Sequence, residues 1–246
     1  MRDQELRERL ALACRVLYSE GHEHFYFGHL SVRASAGDAV WVKPAGLGLE
    51  EVRAADMALM DLDGRQIEGP HRLHQEMPIH TEIYQRRPDV QAVVHTHPFY
   101  AAALSASHAR LQMVSQDSLP FADGVGDYPS AELVMTVEQG QQVADALGAR
   151  RAVLMRNHGI TVAADSIELA TVWAAQLERS CRLQLAASQL GPLAPIPRDE
   201  VGRMYERFER GYPGRNEALW RYLVRKAQRA GVVDAGRASE DGEPRR

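Results

Sequence analysis

Glu76, His95, His97 and His158 are the side chains of this sequence whose types and spacing are suited to chemistry. His95 and His97 follow Asp89-Val90-Gln91-Ala92-Val93-Val94, a run rich in β-formers. Residues two apart on a strand share a face, so both imidazoles are expected on one rigid edge. His158 sits in the tight Asn157-His158-Gly159 turn, and Glu76 opens a helical stretch. A His-x-His pair alone says little. Three imidazoles and one carboxylate form a ligand set for one divalent cation per subunit, zinc or manganese first, with iron and cobalt also accepted.

The elements around these residues must position them. An amphipathic pattern, Leu6, Leu10, Ala13 and Leu17, predicts a first helix capped by Asp3 and ended by Gly21. Two hairpins follow: His29 to Arg33 with Ala39 to Lys43 around Gly37-Asp38, and Met57 to Leu62 with Arg65 to Ile67 around Asp63-Gly64. A helix is expected from Glu76 to before Arg87-Pro88, with Pro78 tolerated in its first turn. Pro98 opens a short alanine-rich helix, and Val134 to Leu147 reads as another. Ala152 to Met155 and Ile160 to Ala163 read as strands joined by the His158 turn. Asp165 with Glu168 predicts the start of a long helix carrying Ala170, Trp173, Leu177, Cys181 and Leu185 on one stripe. Beyond the Gly191 to Pro197 linker, a final helix is expected around Asn216 to Arg229. Residues 1–230 thus read as one α/β domain, and 231–246 as a disordered tail.

Composition narrows the function. The 246 residues carry a net charge of −4 with Lys and Arg scattered among acids, which argues against nucleic acid as a partner. Cys14 and Cys181 lie in helix-like segments and suit a reducing compartment. The charged N-terminus and the lack of a long apolar run point to a cytoplasmic protein without a membrane partner.

In order and spacing, Gly28-His29-Leu30-Ser31-Val32-Arg33, Lys43-Pro44-Ala45-Gly46, Glu76, Arg87-Pro88-Asp89-Val90, His95-Thr96-His97-Pro98 and Asn157-His158-Gly159 resemble the class II aldolase/adducin family from about Leu6 to Tyr212. The resemblance implies a three-layer α/β/α fold with a central, mostly antiparallel sheet. It also implies a homotetramer with active sites at subunit interfaces. By it, His95, His97 and His158 match the histidine ligands, and Glu76 the carboxylate that ligates or acts as acid/base. His80, one helical turn after Glu76, matches a histidine that is not a ligand.

Sugar-phosphate aldolases of that family hold phosphate with an Asn, a hydroxyl and a Ser-Ser pair. The corresponding places here are His29, Ala45 and His74-Gln75. Loss of these small donors serves a phosphate poorly, whereas His29, Lys43 and His74 suit planar carboxylates. Gly46 and Arg33 are further substrate-side candidates, although a structural ion pair is the simpler expectation for Arg33. The strings resemble the branch of hydroxylated aromatic acid decarboxylases, in which a hydroxyl ortho to the carboxylate lets CO2 leave from a keto form. On that reading the substrate is a small carboxylated molecule, His29 and Lys43 anchor carboxylate, and His74 donates a proton. Tyr128 and Tyr212 match tyrosines near the site, Tyr212 reaching it from an adjacent subunit. An aldolase or epimerase acting on a sugar or sugar acid, and a non-catalytic scaffold, are the alternatives.

Overall fold

The computed structural model describes residues 2–209 and 214–233. Its centre is an eight-stranded sheet in the order β4-β3-β2-β1-β5-β8-β7-β6. The first four strands are two successive hairpins: β1 (His29–Arg33) with β2 (Ala39–Val42), and β3 (Ala58–Asp61) with β4 (Gln66–Glu68). Gly37 and Gly64 turn these hairpins at φ +87° and +86°, a region that residues bearing a Cβ seldom enter. The strand β5 (Ala92–Thr96) lies between β1 and β8 (Gly159–Ala164), antiparallel to both. The β7 strand (Ala152–Met155) forms a hairpin with β8, and β6 (Gly126–Tyr128) adds the single parallel pair at the edge.

Period-two alternation gives each face of the sheet its own core. Leu30, Val32, Val94 and Val162 point to one side, where Leu10 and Leu17 of α1 (Asp3–Ser19) and Leu177 of α5 (Ile167–Leu190) cover them. Val40, Val42, Val93 and Val153 point to the other, under Ile79 and Ile83 of α2 (Met77–Arg86) and Val143 and Leu147 of α4 (Val137–Leu147). Full burial of each such side chain contributes about 1.5–3 kcal/mol, so the three layers hold each other in place. The α2 and α4 helices meet through Gly140, where a Cβ would lie 2.5 Å from the Pro78 carbonyl oxygen. The short α3 (Phe99–Ser105) packs on α5, α6 (Arg198–Glu209) on the 116–121 segment, and α7 (Arg215–Arg229) on α1 and α5. Among the described residues no helix is long and apolar enough to cross a membrane.

Several expected boundaries shift for physical reasons. Arg2, not Asp3, caps α1: its N–H donates to Glu5, while Asp3 accepts from the Ser35 N–H instead. Ser166, not Asp165, caps α5 by accepting from the Leu169 N–H. The α4 helix starts at Val137, later than Val134, because Thr136 caps it by accepting from the Gln139 N–H. Leu185 is 41% exposed. Three four-residue steps from Trp173 rotate it about 120° off the buried stripe, whereas the eleven-residue step to Gln184 returns within about 20°. Gln184 is buried there and bonds the Arg110 carbonyl and the Gln112 N–H. β6 and α6 lie in stretches where the sequence predicts no element, α6 beginning just past the Gly191 to Pro197 linker. Val233 still packs against Val16 and Val224, and the rest of the expected tail lies outside the described residues.

Candidate metal centre

Strand register builds the floor of the site. His29 of β1 is paired with His95 of β5, and His95 with Thr161 of β8, so the three side chains form one row across the sheet on the face that α2 covers. The β5 strand ends at Thr96, and His97 lies just past its end. Its ring still meets that of His95, with the two Nε2 atoms 2.9 Å apart. His158 comes from the β7–β8 turn, where Asn157 takes φ +53° and the His158 N–H donates to the Met155 carbonyl. Gly159 then allows the ligand-bearing segments to approach, since a Cβ there would sit 2.4 Å from the Thr96 carbonyl oxygen and 2.6 Å from His97 Cδ2. Glu76 arrives from the helix layer, at the residue preceding α2.

The four side chains converge. One ligand atom of each of Glu76, His95, His97 and His158 lies within 4.8 Å of all the others. Glu76 Oε2 is 3.6 Å from His158 Nε2 and 3.8 Å from His95 Nε2. Two ligands about 2.1 Å from one ion stand at most about 4.2 Å apart, so both pairs can share it. Glu76 Oε1 faces away and accepts the Val134 N–H at 3.0 Å, which fixes the carboxylate with Oε2 inward.

The protonation states suit ligation. Burial holds the His95 imidazole far below its ordinary range, and neighbouring imidazoles add to the effect. Burial, with His158 and His24 nearby, takes His97 down to about 3. Burial alone would raise the Glu76 carboxyl, but His158, His95 and the Val134 N–H outweigh it and hold it at about 2. At neutral pH His95 and His97 are therefore neutral and Glu76 is an anion, the states a divalent cation requires.

The outward nitrogens show which lone pairs turn inward. His95 Nδ1 lies 3.1 Å from the Thr161 hydroxyl, and that hydroxyl donates onward to Met155 Sδ. His97 Nδ1 lies 3.0 Å from His24 Nδ1. With protons on these Nδ1 atoms, both Nε2 lone pairs point at each other 2.9 Å apart, an arrangement that a cation between them relieves. Both ring nitrogens of His158 are buried without a hydrogen-bond partner. The residues fit a divalent metal.

The remaining sequence candidates divide. His29 and His74 stack with ring centroids 4.7 Å apart and form one wall beside Glu76. Lys43 is fully buried, with Nζ donating to the carbonyls of Tyr26 and Pro44, and burial lowers it to about 8. It adds positive potential felt by His29 and His74. Gly46 takes φ +85° beside open space. Arg33 is a correction: it lies at the far end of β1 from His29 and donates to the carbonyls of Val90, Gly37 and Tyr84, with its guanidinium over the Tyr84 ring. Those backbone acceptors occupy its donors. His74 is a second correction. Its Nε2 faces the Pro44 carbonyl at 3.0 Å and so holds the proton there, while burial and Lys43 keep the ring neutral down to about 4. The nitrogen left for substrate is an acceptor, not a proton donor. Tyr128 is buried at the end of β6, opposite Met155, in the core under α2 and α4. Tyr212 lies outside the described residues.

Thr161, His24 and Val134 were not singled out from the sequence as parts of the site. Thr161 and Val134 carry no local signal, since a strand threonine is ordinary and a backbone N–H is invisible. His24 read as a loop histidine; only folding brings it onto His97.

The model of the family described as Class II Aldolase and Adducin N-terminal domain matches residues 8–185. A 3,4-dihydroxyphthalate decarboxylase of Arthrobacter keyseri is 32% identical over 238 residues, covering 91% of this chain and 94% of that protein. An aldolase II superfamily protein from Pseudomonas syringae superposes with a TM-score of 0.85 at 27% identity, covering 94% of this chain and 95% of its own. The L-fuculose 1-phosphate aldolase from Glaciozyma antarctica PI12 superposes with a TM-score of 0.81 at 28% identity, over 92% of this chain and 90% of its own. With its three-layer fold and its Glu76, His95, His97 and His158 cluster, this chain belongs to the class II aldolase and adducin family.

Proposed function

We propose that this chain is a metal-dependent decarboxylase of an ortho-hydroxylated aromatic mono- or dicarboxylic acid. The observation that carries the reading is the wall beside Glu76: His29, His74 and the buried Lys43 stand there, at or next to the places where the sugar-phosphate aldolases carry small phosphate-holding groups. Similarity to the decarboxylase over nearly the whole chain supports it. A divalent cation held by Glu76, His95, His97 and His158, zinc or manganese by the donor set, would supply Lewis-acid stabilisation where phenolate charge develops.

The chain's own groups account for the rest. His29 offers its imidazole to a planar carboxylate, His74 offers a lone pair to a substrate hydroxyl, and Lys43 biases the wall toward anions. CO2 loss requires a proton on the carboxylate-bearing carbon; the C–C bond then breaks, and its electron pair restores the aromatic phenolate. Glu76, an anion in the free protein, would take the substrate's phenolic proton and return it to that carbon. Exposed Phe25, Phe99 and Leu133, 80%, 72% and 50% accessible, suit an interface between copies, and on that ground and the family likeness we assign a homotetramer.

The test is product analysis of the zinc- and manganese-loaded protein. Release of CO2 from a dihydroxyphthalate-type acid, without aldehyde from sugar phosphates or sugar acids, is expected. Aldehyde without CO2 would install an aldolase reading, which the fuculose-phosphate aldolase likeness favours. No bound metal and no activity after metal is restored would make it a scaffold.

A further inference from the structure

Four imidazoles, not three, face the Glu76 carboxylate. His29 Nε2 stands 3.9 Å from Glu76 Oε2, against 3.8 Å for His95 and 3.6 Å for His158. It is buried and without a hydrogen-bond partner. Distance alone does not say whether this nitrogen presents a lone pair to a metal or a proton to a substrate.

The answer lies behind it. His29 Nδ1 is 2.7 Å from His80 Nε2, His80 Nδ1 is 2.6 Å from Ser31 Oγ, and Ser31 Oγ is 2.9 Å from the Tyr84 hydroxyl. All four residues are buried. Each contact holds one proton and each neutral imidazole carries one, so the His29–His80 and His80–Ser31 protons run in one direction or the other, and Ser31, with one proton to give and two lone pairs, joins them to Tyr84. Tyr84 decides which. Among the described residues, Ser31 Oγ is the acceptor the structure offers its buried O–H, and reversing the chain would strand that proton. With Tyr84 donating to Ser31, a second bond accepted from His80 would leave the buried Ser31 proton without a partner among the described residues, so Ser31 donates to His80 Nδ1. His80 Nε2–H then donates to His29 Nδ1, which leaves the His29 proton on Nε2, aimed at the site.

We infer that His80, Ser31 and Tyr84 are positioning residues that lock His29 in its Nε2–H tautomer, making it a hydrogen-bond donor to the substrate's carboxylate and barring it from the metal. The donor role rests on the decarboxylase reading; the tautomer does not. The lock explains why an imidazole as near Glu76 as His95 is stands outside the ligand set.

The test reads the tautomer directly. In zinc-loaded protein labelled with ¹⁵N-histidine, with His29 signals assigned by loss in His29→Asn, Nε2 is expected to be protonated and Nδ1 bare. A bare or metal-bound Nε2 in the wild type would overturn the inference. His80→Phe removes the donor behind His29, and Tyr84→Phe removes only the deciding proton while keeping the ring. Both are expected to shift His29 toward Nδ1–H, and His80→Phe to alter the visible spectrum of the cobalt-substituted protein as another imidazole reaches the ion. An unchanged His29 tautomer in both variants would sink the lock. With a turned-over aromatic acid, losing one charge-assisted hydrogen bond predicts a fall of about 10- to 100-fold in kcat/KM, chiefly through KM. Protein with the inferred tautomer but no decarboxylation would uphold the lock and defeat the proposed function; decarboxylation with His29 bearing Nδ1–H would do the reverse.

Discussion

Replacing Thr161 by valine removes one oxygen and keeps the shape of a buried side chain. In the structure the Thr161 hydroxyl lies 3.1 Å from His95 Nδ1, and both residues have no exposed surface. His95 can offer Nε2 to a metal only while its proton sits on Nδ1, where Thr161 accepts it. In T161V that N–H faces a methyl group, and an unpaired buried donor costs about 1–3 kcal/mol. The metal-free ring escapes by moving its proton to Nε2, but that proton then points into the site. The penalty therefore falls on the metal-bound state, as about 10- to 100-fold weaker metal affinity, equivalent to about 1.4–2.7 kcal/mol. Competition against a zinc chelator measures it, alongside melting of the metal-free protein. The expected result is weaker zinc binding with the metal-free melting temperature unchanged, and recovery in T161S, which restores the oxygen. Wild-type affinity in T161V would refute the reasoning, because the His95 tautomer would then not depend on this contact.

Glu76→Gln keeps the acceptor for the Val134 N–H but removes the charge, so metal retention after dialysis should fall further than in T161V while the fold persists by circular dichroism. Gly159→Ala forces a methyl against the Thr96 carbonyl and the His97 ring, and overpacking of this kind costs about 1–3 kcal/mol; denaturant unfolding should show the loss and metal analysis a reduced stoichiometry. Lys43 falls from an ordinary 10.5 to about 8 because burial penalises its charge. The unfolded chain then binds the extra proton between pH 8 and 10.5, so stability rises with pH across that window, by at most about 3 kcal/mol. Urea titrations of wild type and Lys43→Met at pH 8 and 10 test the sign: the stability of wild type minus that of the variant should rise at the higher pH, and a fall would contradict it.

Much of the fold was legible because its signals are local. The Gly37 and Gly64 hairpins, the helix after Glu76 and the stripe through Trp173 follow from turn chemistry and from periods of 2 and 3.6 that neighbouring residues display themselves. β6 was missed because a three-residue edge strand owes its conformation to β7, and α6 because its helical preference is expressed only where it packs on the 116–121 segment.

The site divides on the same line. By itself the sequence determined the chemistry on offer: Glu76, His95, His97 and His158 as ligand types, and His29, Ala45 and His74-Gln75 where a phosphate site would carry an amide and hydroxyls. Tertiary structure alone decided which atoms face inward. The pairing of His29 with His95 and of His95 with Thr161, the turning of Lys43 and His74 onto the Pro44 carbonyl, and the His80-Ser31-Tyr84 chain behind His29 all join residues far apart in the chain. A proton's place on an imidazole is set by the partner of its other nitrogen, and that partner is chosen by strand register and helix packing, which no local stretch of sequence contains.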